Sequence, residues 1–167
     1  MAAPRSVVSG VDAARLRYLV PLLMVVWNVR SLFAHGIEDT WNYTMKLMKS
    51  HNVGIFTETR STDERIQVLR THLPSSMLLF SSGISSFWGG VALLVKCDFL
   101  KTANFTTVLD VVVEVGRCIK LCLSGASGSL HIFAVYLDPS NSAARIATMR
   151  LMNAAVTPHV HTMIAGD

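Results

Sequence analysis

Apolar and polar residues fall in blocks whose period changes along the chain. Residues 22–27, LLMVVW, form an unbroken apolar run of strand length, which suits a sheet covered on both faces. Ile37, Trp41, Met45 and Met48 then recur at helical spacing, marking one helix face. Residues 53–57 predict a second buried strand and residues 63–72 a short helix, with Asp63 and Glu64 in its charged first turn. Beyond it, residues 77–81, 91–96, 108–115, 119–124 and 131–136 are strand-like runs separated by Gly and Ser, a pattern of hairpins and antiparallel pairing. Asn141 predicts the N-cap of a helix through Ile146, Met149, Met152 and Val156 that Pro158 closes, and residues 160–165 predict a last strand. The sum is an α/β (α+β) fold: a layered sandwich in which helices cover a mixed, mostly antiparallel sheet.

Composition narrows the class. At 167 residues, with 51% hydrophobic and 16% charged residues, the chain can bury one sizeable core and is no disordered polymer. The net charge of +4 is scattered rather than clustered, so it permits a polyanionic partner without demanding one. Cys118 and Cys122 share a predicted strand, where their Cα atoms stand roughly 13 Å apart, too far for a disulfide. That favours a reducing, intracellular compartment, nuclear or cytoplasmic. Residues 1–17 read as a mobile leader before one domain at 18–167. Residues 18–27, YLVPLLMVVW, are much shorter than the roughly 20 apolar residues of a membrane span, and Pro21 interrupts them, so neither anchoring nor secretion is expected.

Chemistry gathers at the strand ends. Asn28 follows LLMVVW, Glu58 follows VGIFT, Tyr136 and Asp138 follow LHIFAV, and Asp167 follows HTMIAG. Ligand sites of layered α/β folds lie beyond the carboxyl ends of strands, where backbone groups are open and a rigid strand fixes the side chain. Carboxylates with an amide and a phenol form an oxygen-rich set suited to a hard cation such as magnesium, which in turn suits a phosphate oxygen. Any one of these residues, taken singly, could instead cap a strand or start a turn.

Six blocks carry a resemblance. VVWNVRSL (25–32), VGIFTETR (53–60), GGVALLVK (89–96), VEVGRCIKLCL (113–123), LHIFAVYLDP (130–139) and the terminal MIAGD resemble, in order and interval, the blocks of the endonuclease/exonuclease/phosphatase superfamily. Its members include apurinic/apyrimidinic endonucleases and the endonuclease domains of non-LTR retrotransposons. The resemblance implies hydrolysis of a phosphodiester with Mg2+ or Mn2+, and nucleic acid as partner, DNA in preference to RNA. It implies that Glu58 is the principal metal ligand, that Asn28 helps hold the phosphate and metal, that Tyr136 faces the scissile phosphate, and that Asp167 orients or deprotonates the attacking water. Thr57 stands where the family usually has Gln. The chain reads Tyr-Leu-Asp-Pro where Tyr-x-Pro is common, and Asp138 has no family counterpart.

Some of the family's pattern is not in the sequence. Asp167 is not followed by Phe-Asn, and the Ser-Asp-His block, whose His stabilises the phosphate, does not occur. The resemblance therefore implies an incomplete and inactive domain, the N-terminal part of a two-sheet fold, lacking its partner sheet and leaving an apolar face open. A non-catalytic remnant or interaction module and an inositol polyphosphate phosphatase are the alternative readings. His159 and His161 could share a strand face, but no third ligand at zinc spacing accompanies them.

Overall fold

The computed structural model describes residues 20–32, 37–126 and 128–167. The leader expected at 1–17 lies outside these residues. Among the described residues there are eight strands: β1 (Met24–Asn28), β2 (Val53–Thr57), β3 (Met77–Ser82), β4 (Val91–Lys96), β5 (Phe105–Glu114), β6 (Cys118–Gly125), β7 (Gly128–Val135) and β8 (His161–Gly166). Four helices accompany them: α1 (Ile37–Met48), α2 (Asp63–Thr71), α3 (Cys97–Thr102) and α4 (Ser142–Ala155). Among the described residues no helix is long and apolar enough to cross a membrane.

The strands form two four-stranded sheets, ordered β1-β2-β4-β3 and β5-β6-β7-β8. In the first, β1 and β2 are parallel through α1, and β4 runs antiparallel to both β2 and β3. In the second, β5, β6 and β7 form an antiparallel meander, and α4 carries the chain back so that β8 lies parallel to β7. The second sheet overturns the expectation that the partner sheet is absent. The strand runs after residue 105 do not extend the first sheet; they build the opposing one.

Period-two alternation explains the packing. Val53 and Ile55 of β2 and Leu93 and Val95 of β4 meet Leu121 and Leu123 of β6 and Ile132 and Ala134 of β7 in one buried cluster between the sheets. The alternate residues of sheet one, Phe56, Ala92 and Leu94, face outward onto Trp41 and Met48 of α1 and Ile66 and Leu69 of α2. On the far side Cys118, Phe133 and Val135 meet Met152 and Ala155 of α4. The result is four layers, helix, sheet, sheet, helix, and the expected open inner face is closed. The unbroken apolar run before Asn28 predicted a strand buried on both faces. However, β1 is an edge strand, and Val26 remains 42% exposed.

Helix α4 departs from its apolar pattern. Asn141 caps it as expected, its side chain accepting from the Ala144 amide at 3.0 Å. Ile146 and Met149 are nonetheless half exposed, whereas Thr148 is fully buried. The Thr148 hydroxyl donates to the Ala144 carbonyl at 3.0 Å, which satisfies the polar group and lets a small side chain bring the helix close to the sheet. Lys120, 8% exposed, donates from Nζ to the Ala155 carbonyl at 2.8 Å and to Thr157 Oγ1 at 3.0 Å, so a buried cation closes the helix C-terminus.

Candidate active site at the carboxyl ends of four strands

Two parallel pairs, one from each sheet, bring four strand ends together. Asn28 ends β1 opposite Thr57, the last residue of β2, and Glu58 follows Thr57. In the other sheet Val135 pairs with Gly166, so Tyr136 and Asp167 are the next residues of adjacent strands. The sheets join at this end, where Asn28 Nδ2 donates to Asp167 Oδ2. The Tyr136 phenol lies within electrostatic reach of the Glu58 carboxylate. Asn28 with Asp167 and Glu58 with Tyr136 are thus two cross-sheet juxtapositions of residues far apart in sequence.

Local backbone explains how the side chains reach these positions. Glu58 has φ +52°, and Arg30 and Arg60 have φ +50° and +47°. A non-glycine residue held in this left-handed region costs of order 1–3 kcal/mol, and such residues concentrate where surrounding structure enforces a functional geometry. The enforcement is visible: Thr59 N and Arg60 N donate to the carbonyls of Gly90 and Gly89 at 3.1 and 2.9 Å. Gly90 itself sits at φ +90°, where a Cβ would lie 2.2 Å from Thr59 Oγ1, so only glycine lets the two loops approach. Gly166, at φ +155°, is equally confined, a Cβ there falling 1.7 Å from the Val135 carbonyl oxygen. It presses β8 against β7 immediately before Asp167.

The electrostatics separate a polar site from a structural ion-pair network. Tyr136 is 7% exposed. Burial, followed by the negative charges of Glu58 and Asp138, raises its phenol above the ordinary tyrosine value, so at neutral pH it is a hydrogen-bond donor. Asp138, whose charge also reaches Tyr136, is itself held in a turn. It accepts from Ser140 Oγ at 2.6 Å and the Ser140 amide at 2.9 Å, and from Arg117 Nη2 at 3.3 Å. The Ser140 bonds, then Arg117, hold its carboxyl below the usual range. The first turn-forming reading of Asp138 therefore describes it.

Sequence reasoning missed two cations. Arg60 Nη2 lies 3.3 Å from Glu58 Oε2. Arg117, 9% exposed, pairs with Glu114 at 3.6 Å and with Asp138, and its guanidinium lies 5.7 Å from the ring centroid of Trp88. The "ETR" and "VGR" triplets contain them, but no spacing rule distinguishes these arginines from surface ones. His159 and His161 are exposed, away from the four strand ends in the chain's register.

The residues fit a divalent cation of the magnesium type. Among the described residues no three His, Cys, Asp or Glu side chains cluster closely enough to hold a metal ion alone. Magnesium, however, is commonly bound through one or two carboxylates, with waters and substrate phosphates completing its shell. Glu58, 16% exposed at its side chain, with the oxygens of Asn28 and Asp167, is a donor set of that kind.

No family model and no curated protein sequence matches the chain. Solved structures do. Humanized TDP2 from D. rerio superposes with a TM-score of 0.63 at 14% identity, covering 87% of this chain and 65% of the other. An AP endonuclease from Leishmania major gives 0.61 at 15%, covering 99% and 60%. The 3′ phosphatase NExo from Neisseria, bound to a product DNA hairpin, gives 0.57 at 14%, covering 88% and 57%. The chain thus has the fold of the endonuclease/exonuclease/phosphatase superfamily, and it spans less than two thirds of the length of each of these structures.

Proposed function

We propose that the chain forms the metal-and-phosphate half of a divalent-cation-dependent phosphodiesterase acting on nucleic acid, DNA in preference to RNA. One observation carries this reading: Asn28, Glu58, Tyr136 and Asp167 converge from four strand ends of two sheets. A structural cap needs no such convergence. Glu58 would hold Mg2+ or Mn2+ with help from Asn28, and the bound cation would supply charge neutralisation at a phosphate oxygen. Tyr136, protonated at neutral pH, donates towards the phosphate. Asp167, oriented by the Asn28 amide, accepts a proton from the attacking water. The His of a Ser-Asp-His block, a transition-state donor that the resemblance implies, would have to come from outside these 167 residues. Loss of even one transition-state donor typically costs about 100-fold to 1000-fold.

A plasmid-nicking assay tests the reading in the longest protein that contains these 167 residues. Nicking is expected with Mg2+, to cease on chelation with EDTA and to return when Mg2+ is restored. Cleavage indifferent to EDTA would overturn it. A non-catalytic module of the same fold is the second reading, and inactivity of a longer protein that carries a Ser-Asp-His block would support it.

A further inference from the structure

Arg60 has a place in this site that its ion pair alone does not explain. Its contact with Glu58 is a single one, at 3.3 Å, its Nε is buried without a partner, and its side chain is still 39% exposed. Arginine that serves to neutralise a carboxylate commonly does so through a two-pronged fork, and a buried N–H left unpaired costs free energy. The guanidinium is therefore held weakly and incompletely. Its backbone, by contrast, is fixed by the bond to Gly89 and by Thr59 N to Gly90 O, so the side chain can leave Glu58 without disturbing the loop.

Glu58 is also the carboxylate best placed to bind a cation, and a guanidinium and a divalent cation repel each other when they share one carboxylate. We propose that Arg60 is a phosphate clamp released by cation binding. Paired with Glu58 in the free protein, it gives up the carboxylate when a divalent cation takes it, and its freed N–H groups donate to a non-bridging oxygen of the phosphodiester. The inference rests on the phosphodiesterase reading, and it adds a cost and a benefit of opposite sign. Arg60 competes with the cation, yet strengthens phosphate binding once the cation is present. A purely structural ion pair would compete with the cation but would add nothing to phosphate binding.

Calorimetric titration of the full 167-residue chain with Mn2+ alone tests the competition. Arg60→Gln is expected to bind Mn2+ about threefold to tenfold more tightly than the wild type, the scale of one partly exposed charge interaction. Arg60→Lys, which keeps the charge, is expected to stay close to the wild-type affinity. With Ca2+ present to prevent turnover, Arg60→Gln is expected to bind a short DNA duplex at least about threefold more weakly, as loss of one phosphate contact predicts. Equal Mn2+ affinities for wild type and Arg60→Gln, with binding still lost in Glu58→Gln, would overturn the role of Arg60 alone. Mn2+ binding unaffected by Glu58→Gln would instead overturn the underlying cation site.

Discussion

Glu58→Gln is expected to weaken Mn2+ binding by at least about 100-fold, because it removes the charge of the principal carboxylate while leaving its volume and an oxygen in place. Changing residues that merely support a metal ligand typically costs 10-fold to 100-fold in affinity, so loss of the ligand's own charge sets a higher floor. The substitution also frees Arg60 from its carboxylate partner at 3.3 Å, which adds a less compensated positive charge beside the site. The fold should tolerate the change, since Gln has nearly the same volume and keeps a side-chain oxygen. Titration of both proteins, with their thermal unfolding compared, checks the prediction. An affinity loss below about threefold would remove Glu58 from the site.

Leu121→Ala is expected to lower stability by about 2–5 kcal/mol, the range for truncating a fully buried leucine. Leu121 has no exposed surface and lies on the inner face of β6, paired with Ile132 of β7 and packed in the cluster that joins the two sheets. The cavity would open between layers that are each held by β hydrogen bonds, so relaxation to fill it is limited. The midpoint of urea denaturation measures the loss. A decrease below about 1 kcal/mol would mean that the sheets do not pack face to face as described. The same packing holds Asn28 of one sheet against Asp167 of the other, so the variant should also weaken Mn2+ binding before it unfolds.

Much of this architecture is legible in the chain because its strands obey simple periodicity. The buried run VGIFT occupies the predicted residues, and the Asn141 cap forms as its side chain implies. What the pattern does not encode is partnership. Strand runs 105–125 and 128–135 look the same whether they extend one sheet or build a second, and only tertiary packing decides. α3 passes unnoticed because its six residues, CDFLKT, are too few to show a helical period. Helix α4 hides its buried face, since Thr148 is read as polar until its hydroxyl is paired within the helix. Asn28, Glu58, Tyr136 and Asp167 are legible as site candidates because each follows an apolar run. Arg60 and Arg117 are not, because their significance lies in what they touch across loops and hairpins.

The proposed cation-binding, phosphate-facing site lies where β1, β2, β7 and β8 end. Mn2+ broadens the amide signals of residues near it, so titration of the isotope-labelled chain followed by NMR locates the ion directly. Signals of Asn28, Glu58, Tyr136 and Asp167 and their immediate neighbours are expected to broaden first, and Glu58→Gln is expected to abolish the effect at the same Mn2+ concentration. Broadening centred instead on His159 and His161, or spread evenly over the exposed carboxylates, would contradict that placement.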